Sequence, residues 1–214
     1  MCWNKEISLN TFMFSSFVLL LIMYNNAYTQ YKIASLNNIW IYIFFSSFIL
    51  MQLIEYFIWK NIHDPMYNRI FSSLATVLLF FQPIASIMLI NNYTLRSNLL
   101  TSYLIFSIPF MIYRFMTKPI YTTITPLNHL EWNFILYKNS IIDNILLIMW
   151  FIFFLFPLFY SGKTMGGLFG VVTLLVIIYH YIKDGSIWSM WCWVVNTIMI
   201  YYAAYLLIYL PSKI

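Results

Sequence analysis

Glu55 stands inside an apolar run, Asn38–Trp59, four residues before its end. A carboxyl group in such a run is costly unless it faces the interior of a helix bundle. Its usual uses there are proton relays and the binding of ions or substrates. Gln52 lies three residues earlier, which sets an amide beside the carboxyl on one helix face. Other reactive side chains fall near the same membrane boundary: Cys2 before the first apolar run, His129 in the longest loop, His180 near the end of the sixth run and Cys192 near the start of the seventh. Thiolate, imidazole and carboxylate suit zinc, copper or iron, so Cys2, Glu55, His129, His180 and Cys192 are candidate ligands of a transition metal. The same types could supply a Cys–His nucleophile pair, with Glu55, Cys2, His129 and Cys192 as the candidate catalytic groups. No CxxC, HExxH or HxxxH spacing singles out one of these chemistries. Gln82, beside Pro83, and Asn196, one turn beyond Cys192, complete a set of polar groups that could line a pocket.

Each residue also has an ordinary role to be weighed against a functional one. Trp3, Trp59, Trp188 and Trp191 fit an aromatic belt at the membrane surface. Loop carboxylates are usually solvated, His180 could reach out to the interface, and two cysteines can be inert small apolar residues. A disulfide between Cys2 and Cys192 is sterically allowed, although a reducing compartment disfavours it. Glu55 has no such ordinary role.

The elements that must position these groups follow from composition. Of the 214 residues, 63% are hydrophobic and 8% charged. A water-soluble domain carries about a quarter charged residues, so lipid is the solvent this chain requires. Continuous apolar runs exclude the alternating pattern of a membrane β-barrel and leave helices as the spanning element. The expectation is therefore an all-α, polytopic membrane protein. It forms a single transmembrane domain, a bundle of about seven helices: Asn10–Tyr28, Asn38–Trp59, Ile70–Asn91, Leu99–Met116, Ile142–Tyr160, Met165–Ile182 and Ile187–Leu210. The first run is nearly full span length and reads as a retained helix rather than a cleaved signal. The loop Thr117–Ile141 has room for a re-entrant or surface helix, and Leu127–Tyr137 is apolar enough to lie along the interface. Gly166, Gly167 and Gly170 read as sites of close helix approach.

Seven spans sort the loops onto two sides. Side A, which holds the N-terminus, has seven basic residues (Lys5, Lys60, Arg69, Arg114, Lys118, Lys138 and Lys183) against four on side B (Lys32, Arg96, Lys163 and Lys213). The positive-inside rule then predicts a cytoplasmic N-terminus. Scattered loop charges predict a lipid bilayer as partner and no nucleic acid. Glu55, His180 and Cys192 share a shallow depth below side A, which suggests one polar pocket open to that side.

The series Met1-Cys2-Trp3, Met51-Gln52-Leu53-Ile54-Glu55, Phe81-Gln82-Pro83, His129-Leu130-Glu131-Trp132 and Trp191-Cys192 resembles a family of multi-pass membrane proteins found in bacteria and giant DNA viruses that begin Met-Cys-Trp. The resemblance runs the length of the chain through short motifs. It implies that Cys2, Trp3, Glu55, Gln82, Pro83, His129, Trp132 and Cys192 are the matching positions, and it implies no activity. Three functions compete: a membrane-embedded metal- or thiol-dependent enzyme, a small-solute transporter or channel-like protein, and a structural membrane protein without chemistry. Retinal proteins are excluded because the last span has no lysine.

Overall fold

Asx side chains start four of the helices. Asn4, Asn38 and Asp64 accept hydrogen bonds from the first free N–H groups of α1 (Lys5–Tyr28), α2 (Ile39–Lys60) and α3 (Pro65–Ile87). Asn92 does the same for α4 (Tyr93–Thr117) through Leu95 N–H. These caps satisfy donors that lipid could not. The chain continues through strands β1 (Thr122–Ile124) and β2 (Leu130–Trp132) to α5 (Ile141–Tyr160), α6 (Thr164–Tyr181), α7 (Ile187–Val195) and α8 (Ile198–Ala204). A π-helical turn, Tyr205–Tyr209, prolongs α8. The computed structural model describes residues 4–117, 120–133 and 141–213, with only the backbone of 141–144. Cys2, Trp3, Lys118, Lys138 and the Asp143 side chain lie outside the described residues.

Six stretches are long and apolar enough to cross a membrane: α1, α2, α3, α4, α6 and the continuous Ile187–Lys213. α5, with 20 residues, reaches about 30 Å, the thickness of the hydrocarbon core. The protein is thus an all-α, multi-pass membrane protein. Of the six stretches, α2 and α3 are the most buried. The Asn26 amide bonds the Tyr42 hydroxyl at 2.9 Å and sets α1 against α2. Phe57 stacks on Phe71 to pair α2 with α3. α5 lies on α3, α6 on α5 and α7, and α4 on α3.

Prolines and glycines have specific consequences here. Pro83 lacks an N–H, which leaves the Leu79 carbonyl without its helical donor. The Trp150 indole of α5 supplies that donor at 3.0 Å. Gly162 adopts φ +74° at the end of α5, where Lys163 N–H bonds Leu158 O at 2.8 Å and Gly162 N–H bonds Phe159 O. This is a Schellman turn that needs a residue without Cβ strain. Of the three α6 glycines, Gly167 meets the reading of close approach: a Cβ there would stand 2.8 Å from the Phe159 ring. Gly166 does not, because its Cβ would meet nothing within 4 Å.

The long loop departs from expectation. Its described part is neither a re-entrant nor a surface helix over Leu127–Asn133 but a two-stranded antiparallel hairpin, pairing Thr122 with Trp132 and Ile124 with Leu130. The turn uses Pro126 and places Asn128 at φ 58°, a left-handed conformation that asparagine tolerates. The hairpin is tucked into the A end of the bundle, with Ile120, Thr122, Leu130 and Trp132 all buried. Arg114, counted above among the loop cations, is a buried residue of α4 that donates to the Asn133 carbonyl at 3.1 Å. Trp188 and Trp191 are likewise core rather than belt residues.

Candidate functional site

One group of buried polar side chains lies between α2 and α7. Glu55 is 0% exposed and accepts a hydrogen bond from Gln52 Nε2 at 2.8 Å. Cys192, 1% exposed and a free thiol, faces it across the helix interface, near enough for the two groups to interact electrostatically. One turn further in, Asn196 donates to Cys192 O at 2.8 Å and to Phe48 O at 3.4 Å. Phe48, Gln52 and Glu55 thus form a stripe on α2 opposite Ser189, Cys192 and Asn196 on α7, each at helical spacing.

Asn196 also explains why α7 stops. Its own N–H bonds Trp193 O, and Thr197 N–H bonds Val194 O. The backbone therefore tightens, and the Asn196 side-chain amide takes over the Cys192 carbonyl that the helix would otherwise have used. The break lies about 13 Å from the start of α7 by helical rise, deep in the membrane.

The hairpin closes this layer from the A end. Asn68, near the start of α3, clamps strand β1: its Nδ2 donates to Thr122 O at 2.9 Å, and its Oδ1 accepts from Thr122 N–H at 3.0 Å. The Ser72 hydroxyl contacts the Thr122 hydroxyl at 2.8 Å. At the turn, Thr125 donates to Asp184 at 3.0 Å and its hydroxyl accepts from His129 N–H at 3.1 Å. His129 is 5% exposed and packs edge-on to Tyr181. Burial lowers its pKa below the usual histidine value, partly offset by Asp184. The Glu131 carboxylate lies over Gly185, where a Cβ would come within 2.9 Å of its Oε1.

The sequence-derived candidates therefore divide. Glu55, Gln52, Cys192 and Asn196 are brought together. His180 is exposed on α6 against Tyr179 and does not enter the layer. His129 belongs to the hairpin above it. Gln82 is fully buried, but about 25 Å from the start of α3. It is therefore in the B half, because α3 begins five residues earlier than the apolar run suggested. Among the described residues no group of three His, Cys, Asp or Glu side chains could hold a metal ion. Cys2, the remaining candidate ligand, lies outside them.

A cavity of about 280 Å³ opens at the B end, between α2, α5, α6 and α7. Its lining includes Lys163 at the mouth and Phe48 and Trp191 inside, and Phe48 O is the acceptor of Asn196. A second, smaller cleft of about 80 Å³ lies between α3, α4 and α5. There the Tyr103 hydroxyl is engaged by Phe80 O, so the cleft presents mainly apolar walls. Sequence reasoning missed Asn68, Thr122 and the B-end cavity. An asparagine at the fourth position of a helix was a visible signal for the first; the cavity depends on lateral packing. The chain matches no protein-family model, no curated protein and no solved structure.

Proposed function

We propose that this protein is a carrier: it admits a solute from the B end to the layer of Glu55, Cys192 and Asn196 and releases it at the A end when the hairpin moves. The observation that supports this reading is the asymmetry of access. A cavity descends from one end as far as Phe48 and Trp191, on the same helices as the buried carboxyl and the tightened turn at Asn196, and a hairpin packs over the other end. Interrupted helices in mid-membrane are a recurring feature of transporter binding sites, and a buried carboxyl is the usual place for a coupled proton or ion. The Lys and Arg count assigns the A end to the cytoplasm.

Alternating access predicts that Cys192 is reached from both sides. In sealed vesicles carrying a Cys2→Ser variant, a water-soluble thiol reagent should label Cys192 from the B side and, more slowly, from the A side. Asn68→Ala, which removes the hairpin clamp, should speed A-side labelling several-fold and leave the B-side rate unchanged. An A-side rate no faster than global unfolding would overturn the carrier reading. A second reading, thiol chemistry at Cys192, would need Glu55 to act as the base that accepts the thiol proton. It requires a substrate to reach a sulfur that is 1% exposed.

A further inference from the structure

We infer that the B-end cavity binds an anionic amphiphile with a single apolar chain, its head at Lys163 and its chain directed inward toward Phe48 and Trp191. The volume of about 280 Å³ suits a single apolar chain rather than a whole membrane lipid, since it lies at the lower end of ligand pockets, which run from about 300 to 1,000 Å³. The inner walls are aromatic, with Phe44, Phe48, Phe154 and Trp191 among them, and Lys163 is the one charged side chain in the lining. Lys163 Nζ donates to the neutral Ser35 carbonyl, an acceptor that an anionic head would outcompete, because charge-assisted hydrogen bonds are about twice as strong as neutral ones. Among the described residues no Asp or Glu lines the cavity, and the sequence reading puts all six acidic residues, Glu6, Glu55, Asp64, Glu131, Asp143 and Asp184, toward the A side. Gly166 lines the same cavity and, unlike Gly167, has empty space where a side chain would be. Its missing side chain leaves room for the ligand instead of bringing helices together.

The inference deepens the carrier reading by naming the class of solute, and rests on it only for movement after binding. Equilibrium binding tests it directly. The probes are 9,10-dibromostearate and the corresponding dibrominated alcohol, added to the protein in zwitterionic nanodiscs, with bromine quenching of tryptophan fluorescence as the readout. Saturable quenching by both is expected. Lys163→Gln should weaken the acid about tenfold, the loss of one charged hydrogen bond, and change the alcohol by less than about twofold. Gly166→Leu should abolish saturable quenching by both with the thermal melt retained, since its side chain enters open space. Unsaturable quenching in the wild type, equal weakening of acid and alcohol by Lys163→Gln, or normal binding in a folded Gly166→Leu would each overturn the assignment. Should binding hold while A-side labelling of Cys192 fails, the site stands and the carrier reading falls. The converse keeps the carrier and removes this class of ligand.

Discussion

His129 is the residue at which the hairpin should respond to pH. Its ring is buried against Tyr181, with Asp184 as the nearby opposing charge. Because burial holds its folded pKa below the unfolded value of about 6.5, the unfolded or opened hairpin binds more protons between the two values. Stability from His129 is therefore fully present above about pH 6.5 and is lost as pH falls through the folded pKa. Amide protection factors across 122–132, corrected for the slower intrinsic exchange at low pH, should fall on acidification from pH 7.5 to 5, more than those in α2. His129→Gln should flatten that dependence; an unchanged profile in the variant would assign the effect to other groups. Glu55 was legible in the sequence because a carboxyl in an apolar run has few explanations. The burial of His129 was not, because it depends on a hairpin that only tertiary contacts reveal.

At the scale of elements, the helices were legible because apolar runs of span length can be little else, and the Asx caps account for where several begin. α1 and α3 start about five residues before their apolar runs, since Asn4 and Asp64 cap them in the polar zone. The hairpin was not legible: strands of three residues carry almost no periodic signal, and Asn68 holds them from 54 residues away. Element pairing can be tested at Pro83. Trp150→Phe should cost about 1–2 kcal/mol beyond its packing loss, because Leu79 O is then left unpaired. In a Pro83→Ala background the restored N–H satisfies that carbonyl, so the same Trp150→Phe change should cost less. A double-mutant cycle in denaturant with no coupling would show that the indole bond contributes nothing.

At the scale of the whole molecule, seven traverses would place Lys5 and Lys213 on opposite sides. The shared depth of Glu55 and Cys192 followed from helical rise, whereas their lateral approach did not, since rise fixes depth alone. In a Cys2→Ser, Cys192→Ala background, Lys5→Cys and Lys213→Cys should label from opposite faces of sealed vesicles, Lys5 from the side with the hairpin. Labelling of both from one face would require an even number of spans.

The bond between Trp150 and Leu79 also bears on how the chain is made. Its partners are 71 residues apart, so on a ribosome α3 is complete long before its missing donor exists. Until α5 emerges, α3 carries a bare carbonyl that lipid cannot satisfy. Release of α3 alone into the bilayer would therefore be penalised, and the nascent chain gains by keeping α3 within the shelter of the insertion machinery until α5 arrives. Assembly in this bundle is thus timed by a proline and a tryptophan on different helices, and a truncation that ends before Trp150 should remain bound at the site of insertion longer than one that ends after it.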